Sequence, residues 1–254
     1  MTALVILSGA LGLALGSFLN VLIVRLPAGD SVLRPGSRCP RCGSRVRWIH
    51  NVPVVSWLAL RGRCASCQAR IGWQYPVVEL ATAAIWVGHG AVWGATPRAL
   101  TGALLLTFLL AIAIIDARHF LIPDELSLGG LAVGFLLSIL PGPPSVPESA
   151  LGSIVGGGLL WIVGEAWLRL LKKDAMGGGD IKLMAMIGTF LGWKGALLTI
   201  FLGSLIGTMA FPPIIFRLDK QIPFGVFLAL AAALTFYFGE TLLQWYLGLS
   251  MYFG

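Results

Sequence analysis

The chain has 254 residues, 57% hydrophobic and only 11% charged, with a net charge of +7 and a mean hydropathy of +0.87. Soluble domains carry roughly 25% charged residues. This composition therefore excludes a soluble globular enzyme, a disordered chain and a secreted disulfide scaffold, and makes lipid the main solvent. Residues 1–24 form a first apolar span. No basic segment precedes it and arginines follow it, the reverse of a cleaved signal peptide, so the helix is expected to stay, with its N-terminus outside. Residues 25–76 are too polar for lipid and form an arginine-rich insert. Residues 77–254 hold the remaining spans, near 77–95, 99–116, 125–140, 150–171, 181–193, 195–216 and 223–248. These runs are continuous and lack the alternation of a barrel strand, so they read as helices. The 181–193 run is short for a crossing, about 20 Å at 1.5 Å per residue. The prolines of 141–147 mark a loop, and no internal repeat stands out. The expected fold is an all-α polytopic membrane protein of about eight transmembrane helices, carrying a small cytoplasmic insert.

Charge tests the orientation. With the N-terminus outside, residues 25–76, 116–124, 172–180 and 217–222 face the cytoplasm. Sixteen of the 18 lysines and arginines lie in or beside those segments, and only Arg98 and Lys194 lie on the other side. This is a strong positive-inside bias. The basic balance is thus a topology signal, which calls for the lipid bilayer as partner and for no nucleic acid.

All four cysteines lie in the insert, as Cys39-Pro-Arg-Cys42 and Cys64-Ala-Ser-Cys67 with 21 residues between the pairs. Two CxxC turns supply four thiolates to one tetrahedral zinc ion, the arrangement of a zinc ribbon. Zinc would hold together an insert too small and polar for much of a core. A redox pair and bare thiols are the competing readings. The cytoplasmic placement speaks against disulfide chemistry. His50, between the pairs, is a surface residue or a substitute ligand.

Carboxylates near lipid are costly, at least about 2.5 kcal/mol on insertion scales, so each asks for a reason. Asp116 ends the 99–116 span, and Asp180 opens the 181–193 span after Gly177-Gly178-Gly179. Both fall at cytoplasmic ends of their helices. Two close carboxylates share one proton, so one can act as general base on water while the other donates to a carbonyl. The glycines leave room for an extended substrate backbone. A plain loop and helix cap would use the same residues.

The segments Asp116-Ala-Arg-His-Phe-Leu-Ile-Pro-Asp124 and Gly177-Gly-Gly-Asp-Ile-Lys182 resemble the two signature regions of bacterial type IV prepilin peptidases, intramembrane aspartyl proteases of the GxGD type. The resemblance extends to Gly16-Ser-Phe-Leu-Asn-Val-Leu-Ile-Val-Arg-Leu-Pro27, to the cysteine insert with Asn51-Val-Pro-Val-Val-Ser-Trp57 and Arg61-Gly-Arg-Cys64, to Tyr75-Pro-Val-Val-Glu79 and to Ile222-Pro-Phe-Gly225. It implies that Asp116 and Asp180 are catalytic, that Gly177 and Gly179 support the loop, and that Asp124 stands outside the dyad. Asp124 reads as the cap of the 125–140 helix. Gly178 departs from the family, which often has a bulkier residue there.

The resemblance further implies a substrate and a second activity. Family members remove the leader of type IV prepilins or pseudopilins at the cytoplasmic face of the bacterial inner membrane. Many then methylate the new N-terminus with S-adenosylmethionine, and the cysteine loop is implicated in that step. Glu79 and Glu165, as intramembrane carboxylates, are candidates for deprotonating the amine or orienting the cofactor. Lys182 is a candidate for steadying the dyad's charge or contacting headgroups. The alternatives are a peptidase without methylation and, from another class, an ion-coupled transporter, whose carboxylates would lie nearer mid-bilayer.

Overall fold

A computed structural model describes residues 1–34, 36–142, 144–172, 176–210 and 222–253. Its helices are α1 (Thr2–Arg25), α2 (Val55–Ala59), α3 (Gln74–Trp93), α4 (Pro97–His119), α5 (Asp124–Leu137), α6 (Val146–Leu171), α7 (Gly178–Ala210) and α8 (Phe224–Phe253), with a 3-10 turn at Trp48–His50. Among the described residues, two isolated antiparallel bridges are the only β pairing. Five helices (α1, α4, α6, α7 and α8) are long and apolar enough to cross a membrane. The protein is an all-helical polytopic membrane protein.

The expected spans 99–116, 150–171 and 223–248 fall on α4, α6 and α8, while 77–95 and 125–140 fall on α3 and on the 14-residue α5, which are not among those five. The runs 181–193 and 195–216 both fall within α7, which is two helices joined at a kink at Gly192, whose φ of 67° and ψ of 179° leave the helical region. Such a φ suits glycine. The end of that second run, 211–216, and most of the loop 217–222 lie outside the described residues. Helix α6 starts at Val146, ahead of the expected 150. Ser145 and Glu148 form a capping box, in which the Ser145 N–H and hydroxyl donate to Glu148 Oε2 at 2.9 and 2.8 Å, and Pro147 sits in the first turn. Proline is tolerated there because its missing N–H would have had no helical partner.

Two compact units divide the chain, Met1–Ala103 and Leu104–Gly254. In the first, α1 packs along α3. The contact is close: a Cβ on Gly12 would lie 2.7 Å from Ala83 Cα, and one on Gly16 would lie 2.7 Å from Glu79 Cα. Small residues let helix backbones approach where lipid supplies no hydrophobic drive. In the second unit, α7 packs against α5, α6 and α8, and Gly152 of α6 faces Gly188 of α7 backbone to backbone. Leu105, Ile112 and Ile115 of α4, Leu183, Met184, Met186 and Ile187 of α7 and Leu228 of α8 are fully buried there. This core holds the end of α4 and the start of α7, where the two aspartates sit.

Candidate active site and metal centre

Asp116 occupies the last turn of α4 and is 5% exposed. Its Oδ2 accepts a hydrogen bond from the Val226 N–H at 3.1 Å, and the Gly225 N–H also donates to it. Helix α8 begins at Phe224 after Pro223. Its first N–H groups have no partner within the helix, and its dipole is positive at that end. A carboxylate from α4 therefore caps α8. The space is tight: a Cβ on Gly225 would lie 2.8 Å from Asp116 Oδ2 and 2.9 Å from Ile122 Cδ1.

Asp180 lies in the first turn of α7, half-buried. Its carboxylate accepts the Gly177 N–H and stands within electrostatic reach of Asp116. Gly179 packs on the other end of Ile122, whose Cβ would be 2.9 Å from a Cβ placed there. Ile122 is 7% exposed. It is the wedge between the α7 turn that carries Asp180 and the α8 turn that holds Asp116. Neither Ile122 nor Val226 stood out from the sequence. Pro223-Phe-Gly225 at the head of an apolar run was the available signal, because proline at a helix start followed by glycine marks an N-terminus approached closely.

Two expectations are corrected here, those for Asp124 and Glu165. Asp124 is the first residue of α5 and makes no capping bond. Both its oxygens accept from Lys182 Nζ, at 2.7 Å each. That contact also accounts for Lys182, whose ammonium partners Asp124. Glu165 is not an interior carboxylate: it pairs with Arg169 Nε at 2.7 Å, one turn along α6, with side-chain exposures of 34% and 75%. Glu79 is buried, and its Oε2 accepts the Val54 N–H at 2.7 Å.

The insert brings the cysteines together. The Sγ atoms of Cys39, Cys42, Cys64 and Cys67 lie within 4.8 Å of one another, and Cys39 Sγ is 3.8 Å from Cys67 Sγ. Sulfurs about 2.3 Å from a tetrahedral ion stand roughly 3.8 Å apart, so the group fits a metal. All four are free thiols, and His50 lies outside the group. The two halves are structural copies, which overturns the expectation of no repeat. The pattern Arg-Cys-x-x-Cys-x-x-Arg spans 38–45 and 63–70. Arg38 bridges to Arg45 and Arg63 to Arg70. The residue after each second cysteine, Gly43 or Gln68, takes a left-handed φ of 67° or 58°. Main-chain bonds run from Gly43 N to Cys39 O at 2.8 Å and from Gln68 N to Cys64 O at 3.0 Å. The Cys67 and Ser66 N–H groups hold the Cys64 thiol down to about 6, which favours the thiolate a metal needs.

Comparison with known proteins places the chain in a family. Residues 10–93 match the Bacterial Peptidase A24 N-terminal domain, and residues 103–211 match the Type IV leader peptidase family. The chain is similar to the prepilin leader peptidase/N-methyltransferase of Aeromonas hydrophila, 36% identical over 92% of this chain and 91% of that one. Its counterpart in Pseudomonas aeruginosa is 37% identical over 96% and 94%, and that of Dichelobacter nodosus is 37% identical over 93% and 92%. No solved structure is a significant match. With likeness of this extent over both units, the chain belongs to the type IV leader peptidase family.

Proposed function

We propose that this protein is an inner-membrane aspartic endopeptidase that removes the leader of type IV prepilins or pseudopilins and then methylates the new N-terminus. The observation that carries the peptidase reading is the pairing of Asp116 and Asp180. Two helix ends far apart in sequence meet across Ile122, each presenting one carboxylate. The cytoplasmic face of the membrane is where the charge bias of the loops would place them.

Two close carboxylates in a half-buried site hold one proton between them. The ionised member takes a proton from a water, whose oxygen attacks the scissile carbonyl carbon. The protonated member hydrogen-bonds the carbonyl oxygen. When the C–N bond breaks, the leaving amine takes up a proton. No covalent enzyme intermediate forms. Asp116 is suited to hold its position through this cycle, because the α8 amides fix its oxygen. Gly178, where an added Cβ would meet nothing within 4 Å, leaves room for a substrate backbone two residues before Asp180.

For the second activity, S-adenosylmethionine, when bound, supplies a methyl group to the amine, the sulfur keeping the C–S electron pair and the amine proton leaving to solvent. The four cysteines would hold zinc, as a structural clasp on the insert.

The test is mass spectrometry of a prepilin incubated with the lipid-reconstituted enzyme. Wild type should remove the leader, while Asp116→Asn and Asp180→Asn should each lose at least about a thousandfold in rate. Cleavage surviving in both variants would overturn the dyad.

A further inference from the structure

Residues 25–76 carry nine arginines, no lysine and one acid, Asp30. The two cysteine turns place four of these arginines in pairs, because Arg38 bridges to Arg45 and Arg63 to Arg70. Residues opposite each other in an antiparallel bridge project to the same face, and like charges there repel. All four are exposed, and among the described residues none of them has an acidic partner. An anion beside each pair would relieve the repulsion, and the guanidinium fork matches a phosphate bidentately.

Between the two cysteine turns runs an apolar stretch that the insert does not cover. Trp48, Ile49, Val52, Val55 and Leu58 are exposed, Trp48 by 82% and Val55 and Leu58 by 61% each. Val55 and Leu58 are three residues apart on α2 and share a face. The Ser56 hydroxyl donates to Ile49 O at 2.9 Å and accepts the Val52 N–H at 3.0 Å, which ties the 3-10 turn to α2. Arg45 and Arg47 precede this stretch, and Arg61 and Arg63 follow it. Its place in the first unit is fixed. The Val54 N–H donates to Glu79 Oε2 at 2.7 Å, and the Trp57 ring lies 4.3 Å from that of Trp73, the N-cap of α3. Helix α2 is thus fastened to the head of α3, where Val77 and Leu80 are also exposed. Helix α3 packs along α1, which is apolar enough to cross a membrane and ends at Arg25.

We propose that the insert is a lipid-binding module that lies on the membrane surface, with Trp48, Val55 and Leu58 in the interface and the paired arginines on the phosphates of anionic lipids. Charge selects this occupant. Nine arginines against one acid complement the negative surface of a leaflet that holds anionic lipid. The apolar stretch with its tryptophan and flanking arginines has the composition of a segment lying at the headgroup boundary. Continuity selects it too, since the stretch stands at the end of helices whose own exposed side chains are apolar. The cysteine cluster then has a further use, because each metal-binding turn also sets one arginine pair.

The experiment uses the full-length protein in phosphatidylcholine nanodiscs with and without phosphatidylglycerol, and reads amide hydrogen exchange over residues 45–60. Exchange there should be at least about fivefold slower when phosphatidylglycerol is present. A phosphatidylglycerol with a diazirine on its headgroup should crosslink to the same segment. Replacing Arg38, Arg45, Arg63 and Arg70 together by Gln should erase the difference between the two lipids, and replacing them by Lys should keep most of it, with gel-filtration profile and metal content unchanged. Equal exchange in both lipids and no crosslink in the insert of the wild type would overturn the proposal. Slowing by inorganic pyrophosphate but not by phosphatidylglycerol would make the ligand a soluble anion and overturn it as well. Slowing by an added prepilin but by neither lipid would give the surface to a protein, with the same consequence.

Discussion

Asp116 Oδ2 and the Val226 main-chain nitrogen, separated by 110 residues in sequence, lie 3.1 Å apart. The bond joins the last turn of α4 to the first turn of α8. It gives a buried carboxylate a fixed partner and gives an orphan helix N–H an acceptor.

The tightness of that junction makes Gly225 the sensitive position. Gly225→Ala would push a methyl against Asp116 Oδ2 and Ile122 Cδ1, at 2.8 and 2.9 Å. A small displacement of a reacting group can cost on the order of a hundredfold. The expected result is a kcat for leader removal ten- to a hundredfold lower with KM little changed. Adding Ile122→Val removes only the Cδ1 contact and should restore little of the loss. Steady-state kinetics on the single and double variants would decide it; full recovery in the double would place the constraint at Ile122 rather than at the carboxylate.

Lys182 and Asp124 make a close ion pair, but both are exposed, 41% and 54% by side chain. Exposed pairs contribute about 0–1 kcal/mol. Lys182→Met and Asp124→Asn should each shift the melting temperature by no more than a few degrees. Neither should change kcat more than about threefold. A larger kcat loss in Lys182→Met alone would show that its charge acts on the dyad.

Glu79 should tolerate only a substitute that accepts a hydrogen bond. Glu79→Ala leaves the part-buried Val54 N–H without an acceptor and releases the Val54 backbone, held at a φ of 60°, a loss of about 1–3 kcal/mol. Glu79→Gln keeps an acceptor oxygen and should be milder. Thermal unfolding of the two variants checks the ranking. Glu165→Ala, by contrast, removes one surface pair and should be silent in stability and methylation.

Metal removal should act on the insert. One zinc per chain is expected by elemental analysis, reduced to near zero in a Cys39→Ser/Cys67→Ser variant. Structural zinc contributes about 10–16 kcal/mol in small zinc domains, so chelation should expose residues 25–76 to protease. Limited proteolysis with and without chelator measures this. An insert equally resistant after the metal is stripped would show that it folds without the ion.

The apolar runs could be read from the sequence because lipid imposes its thickness on the chain: about 20 apolar residues per crossing, with arginine and lysine left on one side. The cysteine pairs could be read because ligand spacing is local. Helix α6 shows a local signal overridden, since the prolines of 141–147 suggested loop while Ser145 and Glu148 had already written a capping box. Asp124 and Glu165 show the limit of reading charges singly. Each was assigned a role from its own position, whereas its partner, Lys182 or Arg169, was a matter of which side chains reach it.

By itself, then, the sequence determined the membrane class, the crossing helices, the cysteine cluster and the two carboxylates at helix ends, all of which follow from composition or from spacings within a few residues. Only the tertiary structure decided that α8 donates its first amides to Asp116, that Ile122 wedges between Gly179 and Gly225, and that Glu79 holds the Val54 turn. These are contacts between segments distant in sequence. They arise because buried polar groups must find partners wherever packing brings them, and no periodicity along a single chain records which partner that will be.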